Sequence, residues 1–207
     1  MPTPPSKFDR LIPTLLIPAV IAVMCAAMLF EGRIWWCECG SFELWKSDVW
    51  SSHCSQHLFD PYTMSHVCHG LVFWCLFAWA GDWLGPKYYP LASATFTVPR
   101  RLLLAVIIAA AWEVAENSPF VIERYRSVTM SLDYMGDSII NAVGDVLSCI
   151  FGFLLARRLG TKWTIALFAA LELVSLATIK DNLTLNVIML TYPIPAIKAW
   201  QAQGHLP

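Results

Sequence analysis

The chain has 207 residues and a net charge of −1, with 57% hydrophobic and only 14% charged residues and a mean hydropathy of +0.55. A soluble domain carries about a quarter charged residues, so the balance excludes an ordinary water-soluble globule. Near-neutrality excludes a nucleic-acid footprint. Apolar runs of about twenty residues account for the shortage of charge as membrane helices, in one integral membrane domain over 1–207.

Residues 1–10 form a short polar arm with Lys7 and Arg10, and residues 11–30 are almost wholly apolar. A signal peptide is the rival reading, but the run is longer than a usual h-region. Val23-Met24-Cys25 also makes a poor lipid-attachment box, so 11–30 is read as the first membrane helix. Residues 31–60 break the apolar pattern with four Trp (35, 36, 45, 50) and three Cys (37, 39, 54). Indole rings suit the headgroup region, so this is a Trp- and Cys-rich outer loop. Asp60-Pro61 is a helix opening, Asp as N-cap and Pro in the first turn.

Five further helices are expected at about 61–84, 101–118, 133–156, 162–179 and 183–200, with 85–100 a Pro-rich connection and 123–133 a charged turn. The last helix is interrupted by Pro193 and Pro195, and lying on the surface or re-entering are its alternatives. The fold class is thus an all-α polytopic bundle of five to six transmembrane helices. With six spans and the N-terminus inside, nine Lys and Arg fall inside (7, 10, 87, 100, 101, 157, 158, 162, 198) and five outside (33, 46, 124, 126, 180). The positive-inside rule then places the N-terminus in the cytoplasm.

That orientation makes a demand on the polar residues, and they meet it. His66 and His69 open the second helix, Glu113, Glu116 and Asn117 close the third, and Asp137 and Asn141 open the fourth. Glu113 and Glu116 lie about 18–24 Å along the axis from Arg101 at 1.5 Å per residue, so all these groups reach the same outer face. Within each helix they share a side. In lipid such stripes must face one another, because a charge facing hydrocarbon costs several kcal/mol. His66 or His69 is therefore expected close to Glu113 or Glu116, with Asp137 or Asn141 beside them and Arg126 within reach.

The pattern E-x-x-E (113–116), a basic turn, then D-x-x-x-N-x-x-G (137–144), after a helix opening with S-H-V-x-H (65–69), resembles the VanZ-like membrane proteins. The resemblance matches Glu113, Asp137, Asn141 and Gly144, with His66 or His69 for the family His and Arg126 for its Arg; Glu116 stands where Gln is usual. It implies a loose link to envelope chemistry. C-x-C-G (37–40), S-S-H-C-S-Q-H (51–57), D-P-Y-T-M-S-H-V-C-H-G (60–70) and W-E-V-A-E-N-S-P-F-V-I-E-R-Y-R (112–126) look like an uncharacterised family of bacterial multi-pass inner-membrane proteins. That resemblance implies a plasma-membrane location and lends no activity.

Two function classes stand. One is an enzyme or binder acting at the outer face on a lipid-linked or envelope substrate, with His66, His69, Glu113, Glu116, Arg126, Asp137 and Asn141 as its polar groups. The other is a non-catalytic subunit of a larger membrane complex, or a small transporter, whose buried polar residues fix packing. An open polar pocket favours the first; a sealed, fully hydrogen-bonded cluster favours the second.

No organic cofactor motif is present. A divalent metal is a candidate cofactor, since His66, His69, Glu113 and Glu116 supply imidazole and carboxylate from facing helices. Asp145 and Glu172 lie near mid-membrane, as a proton path or, the simpler reading, as structural hydrogen-bonding groups. Cys54 paired with Cys37 or Cys39 is the ordinary expectation for an oxidising compartment. A soft-metal site of Cys37, Cys39, His53, Cys54 and His57 is the alternative. Cys25, Cys68, Cys75 and Cys149 read as packing residues.

Overall fold

The computed structural model describes residues 7–84, 96–129 and 134–203. The proline-rich connection falls largely on 85–95, and the expected start of the fourth helix at Asp133 falls on 130–133; both lie outside the described residues, as does the arm 1–6. The regular secondary structure of the described residues is helical, with one isolated bridge, Trp45 to Phe59, in the loop between the first two helices.

Among the described residues eight α-helices follow in order: α1 (Lys7–Phe30), α2 (Thr63–Ala78), α3 (Val98–Glu116), α4 (Pro119–Val128), α5 (Ile139–Leu159), α6 (Thr161–Ile179), α7 (Leu183–Thr191) and α8 (Pro195–Gln201). A π turn, Trp79–Leu84, extends α2. Four segments are long and apolar enough to cross a membrane: Leu11–Phe30, Thr63–Asp82, Ile139–Leu159 and Thr161–Ile179. At 19 residues α3 has comparable length, but Arg100, Arg101, Glu113 and Glu116 interrupt its apolar run.

Two expected elements differ. The charged turn after α3 is instead a ten-residue helix, α4, because Ser118 caps it by accepting from Val121 N–H and Pro119 sits in its first turn. Such a start needs no other signal. The expected last helix, 183–200, is divided into α7 of nine residues and α8 of seven, neither long enough to cross. Tyr192-Pro193 ends the first, and Pro195 opens the second, where a missing N–H costs nothing.

α2 packs most extensively on α5, and glycines allow it. A Cβ on Gly70 would run into the backbone of Cys149 and Phe153, and one on Gly152 into the backbone of Val67. Such close backbone approach gives the two helices an extended set of dispersion contacts. Met24 and Met28 of α1, Val106, Ala109 and Ala110 of α3, and Ile139, Ala142, Val146 and Cys149 of α5 form the central core. At one end of the bundle, Arg101 of α3 forms a 2.5 Å ion pair with Asp82 of the π turn.

At the other end the loop after α1 is bound to the start of α5. Gly32, at φ +82°, turns the chain out of α1, a left-handed conformation that favours glycine. Ile139 N–H then donates to Ile34 carbonyl and Ile140 N–H to Trp35 carbonyl, while Asn141 N–H reaches the Ser138 hydroxyl. These bonds satisfy N–H groups that a helix start leaves without partners. Gly144 lets the Leu58 carbonyl lie against α5 where any Cβ would block it.

α8 lies at this same end. Lys198 donates to the Ser127 carbonyl of α4 at 2.6 Å, and Gln201 to Lys180 carbonyl and Asp181. Lys198, counted inside in the six-span reading, therefore belongs with Arg33, Arg124 and Arg126 instead. Two short helices do not carry the chain back across the bundle.

Candidate functional site

Three helices bring one titratable group each to a common point. His66, in the first turn of α2, lies with Nδ1 3.4 Å from Glu113 Oε1 near the end of α3. Its Nε2 lies 3.7 Å from Asp145 Oδ2, in the second turn of α5. Glu113 is 1% exposed, and neither of its carboxylate oxygens has a hydrogen bond; Asp145 Oδ1 also lacks one. Buried carboxylate oxygens without partners are rare, because each forfeits its hydration.

A second carboxylate group adjoins the first and is satisfied. Asn117 donates its amide N–H to Asp137 Oδ2 at 2.8 Å and accepts the Asp137 backbone N–H at 2.6 Å. Tyr134 donates its hydroxyl to Asp137 Oδ1 at 2.9 Å, and Arg33 Nε donates to the Asp137 carbonyl at 3.2 Å. Burial pushes Asp137 up to about 6, against the lowering effect of these bonds and of the Arg33 charge. Glu113, Glu116 and Asp137 offer oxygens that all lie within 4.8 Å of one another, and so do donor atoms of His66, Glu113 and Asp145.

Of the residues singled out in the sequence, His66, Glu113, Glu116 and Asp137 thus meet. Asp137 does so from the segment before α5 rather than from the helix itself. His69 lies beside them but in another role, its ring stacked on Phe73 and edge-on to His66 at 5.5 Å. The candidate metal set is accordingly His66, Glu113 and Asp145, or Glu113, Glu116 and Asp137, rather than one containing both histidines.

Asn141 faces the loop, donating to the His57 carbonyl at 2.9 Å. Arg126 braces the segment before α5 through the Tyr134 carbonyl at 2.6 Å and the Met135 sulfur; the guanidinium on Asp137 is that of Arg33. Glu172 accepts from Leu183 and Thr184 N–H, both at 3.0 Å, and so caps α7. It is not joined to Asp145.

The expected disulfide is not formed: all seven cysteines are free. The Cys54 thiol faces Asp60 Oδ2 at 3.8 Å. Burial, then the Asp60 charge, pushes that thiol well above its usual value, which leaves it a poor nucleophile for disulfide exchange. Cys37, Cys39, His53 and His57 cluster without it.

Sequence reasoning missed Arg33, Asn117's direct bond to Asp137, and Tyr134. Arg33 had been counted only for its charge, since a loop residue carries no periodicity that would place it.

The two carboxylate groups sit in the wall of a cavity of about 980 Å³. His66, His69, Glu113, Glu116, Asp137 and Asp145 give it a polar side, while Phe73, Ile108, Ala109, Val187 and Leu190 give it an apolar one. Loop residues Val49–Ser52 and the C-terminal residues Pro195, Lys198, Ala199 and Ala202 complete its lining. Tyr125, whose hydroxyl donates to Asn186 at 3.0 Å, ties α4 to α7 across it.

The model of the protein family described as "Protein of unknown function (DUF2585)" matches residues 28–203. The chain belongs to this DUF2585 family. A UPF0314 protein from Sinorhizobium fredii is 48% identical over 183 residues, 88% of this chain and 87% of that one. One from Brucella anthropi is 46% identical over 188 residues, 91% and 89% of the two chains. One from Sphingopyxis alaskensis is 43% identical over 190 residues, 92% and 95%. No solved structure matches the chain. The DUF2585 match spans the loop after α1 and every residue of the cavity wall, so the site lies within the family's shared segment.

Proposed function

We propose that this DUF2585 protein is a multi-pass protein of the bacterial inner membrane that takes an amphiphilic, lipid-linked or headgroup-bearing molecule into its cavity. The molecule's polar end meets His66, Glu113, Glu116, Asp137 and Asp145 at the outer face. One observation carries this reading: both oxygens of the buried Glu113 carboxylate lack hydrogen bonds and face a cavity of about 980 Å³. A cluster built only to fix packing would satisfy its own carboxylates, as Asn117 and Tyr134 do for Asp137. The unsatisfied one belongs to a ligand.

A cationic head group, or a divalent cation bridging to a phosphate, is the chemistry such a set of carboxylates takes. His66, between Glu113 and Asp145, is placed for acid–base work on that group. The apolar side, with Phe73, Ile108 and Leu190, suits an acyl or prenyl chain. The resemblance to VanZ-like proteins on Glu113, Asp137, Asn141 and Gly144 supports the same envelope setting.

In this reading α3 is a fifth span and α4, α7 and α8 lie on the outer side. Lys7, Arg10, Lys87, Arg100, Arg101, Arg157, Arg158 and Lys162 are then inside, eight against six, so the N-terminus stays cytoplasmic.

The test is native purification in mild detergent with mass spectrometry of bound lipid and elemental analysis, on wild type and Glu113→Gln. Wild type is expected to carry an amphiphile distinct from bulk phospholipid, and Glu113→Gln to lose it. Identical bulk lipid on both proteins overturns the reading. A second reading, a non-catalytic subunit of a larger complex, is favoured by the exposure of Trp35, Trp36, Phe42, Leu44 and Trp45 on one loop. Crosslinking from that loop to another protein, with the cavity lacking any ligand, would favour it instead.

A further inference from the structure

A second cluster lies in the outer loop, apart from the carboxylates, and the cavity reading does not use it. Cys37, Cys39, His53 and His57 each offer a donor atom, and these atoms all lie within 4.8 Å of one another. We propose that this loop binds a zinc ion through Cys37, Cys39, His53 and His57.

The backbone already holds the two arms of the site together. Cys37 N–H donates to the Gln56 carbonyl at 3.1 Å, which brings the 37–39 hook against the 53–57 turn. Cys37 Sγ lies 2.9 Å from His53 Nδ1, and the two histidine rings are 6.4 Å apart. Ser55, at φ +59°, makes the turn that puts His53 and His57 on the same side. Two thiolates and two imidazoles are the donor set of tetrahedral structural zinc. Zinc–ligand bonds of about 2.0–2.3 Å place tetrahedral donors roughly 3.3–3.8 Å apart, so the four need only a small contraction to close.

His57 is placed for the second hydrogen bond that a zinc-ligating imidazole makes. The residue is 1% exposed, and its Nε2 has no hydrogen-bond partner. A buried ring nitrogen left so is costly. The Glu43 carboxylate stands 3.9 Å from that Nε2, while Nδ1 takes only a 3.2 Å bond from Glu43 N–H. Zinc on Nδ1 would replace that bond and fix the proton on Nε2, facing the Glu43 carboxylate. Ligating histidines generally donate their other N–H in this way. The absence of methionine from the set, and its two imidazoles, favour zinc over monovalent copper.

The zinc is structural. The segment it closes presents the Ser55, Gln56 and His57 carbonyls to Ser138 N–H, the Ser138 hydroxyl and the Asn141 amide, and so holds the start of α5. Cys54 lies outside the set, its thiol on Asp60.

The experiment uses the full chain in detergent, purified anaerobically from cells grown with zinc, without chelator or added reductant, and metal is measured by mass spectrometry. About one zinc per chain is expected, falling to near zero in Cys37→Ser and His57→Ala. Cys54→Ser and Glu113→Gln keep it, the latter separating this site from the carboxylate cluster. Cys39 is exposed, so Cys39→Ser leaves the packing intact and keeps the test sharp should the buried variants fail to fold. Removing zinc and adding cobalt(II) should give thiolate-to-cobalt charge-transfer bands in wild type that weaken in Cys39→Ser. A Cys37–Cys39 disulfide in the native protein, or no zinc and no thiolate–cobalt band in the reduced protein, overturns the proposal. So does a thiolate–cobalt band at full intensity in Cys39→Ser, or zinc lost in Glu113→Gln.

Discussion

His66 and Glu113 come from opposite ends of their helices, the first turn of α2 and the last of α3, yet their side chains stand 3.4 Å apart. Antiparallel helices of similar length make this possible, since the start of one lies at the depth of the other's end. The contact leaves both Glu113 oxygens without a hydrogen bond, and a group in that state is stabilised more by a ligand than by its fold.

Glu113→Gln is therefore expected to separate binding from stability. Replacing the carboxyl by an amide should raise the thermal midpoint of the ligand-free protein by a few degrees, as relief of a buried functional group does. Bound amphiphile should fall by at least roughly tenfold, about 1.4 kcal/mol. A stability assay in detergent and lipid mass spectrometry read the two together; a lowered midpoint with unchanged lipid would contradict the assignment.

Much of this site was legible because the position of a polar residue along a long apolar helix is a strong constraint. Polar residues at the start of α2, the end of α3 and the start of α5 had to agree in height once the orientation was chosen, and in lipid they had to meet. The loop contacts were not legible in the same way. Ile34 and Trp35 act on α5 through backbone carbonyls, which every residue has, and Asp137 reaches the site from an irregular segment without periodicity. Helix α4 could have been read: Ser118-Pro119 is the same kind of opening as Asp60-Pro61, and only the charged residues after it suggested a turn.

Gly144→Ala should displace the loop between α1 and α2. The added Cβ would meet the Leu58 carbonyl, a backbone atom that cannot swing aside. Overpacking of this kind costs about 1–3 kcal/mol. Limited proteolysis of the 41–58 segment should accelerate, while cutting elsewhere stays the same.

Glu172→Ala should free α7. The two 3.0 Å bonds from Leu183 and Thr184 N–H would both be lost, at roughly 1–3 kcal/mol for hydrogen bonds to a charged group. Glu172→Gln keeps one acceptor and should fall between. Hydrogen exchange over 183–191 reports the effect, and unaltered protection in Glu172→Ala would count against the cap.

Asp181 sets a pH dependence. Burial raises it from 3.8 to about 6, opposed by bonds from Asn182 N–H, Tyr62 and Gln201. With the folded value above the unfolded one, the folded state holds the proton more tightly. Its contribution is full below 3.8 and is lost as pH rises to about 6, then stays flat. The swing is on the order of 2–3 kcal/mol. Denaturation midpoints from pH 4 to 8 should fall over that window less steeply in Asp181→Asn than in wild type; parallel curves would refute the assignment.

Orientation is checked by single cysteines in a background without native reactive thiols. An impermeant reagent on intact cells should label Asp48→Cys and Gln203→Cys but not Pro90→Cys. Labelling at 90 without 48 overturns the N-in arrangement, and protection at 203 with 48 labelled restores a sixth crossing.

The seat that Glu172 provides for α7 also decides how complete the cavity is. Leu183 and Thr184 bind a side chain that lies two helical turns before the end of α6, while Arg124 and Tyr125 of α4 hold α7 from another side. The hairpin of α7 and α8 furnishes Leu190, Pro195 and Lys198 to the cavity. It is a detachable wall, with one of its pins a single carboxylate.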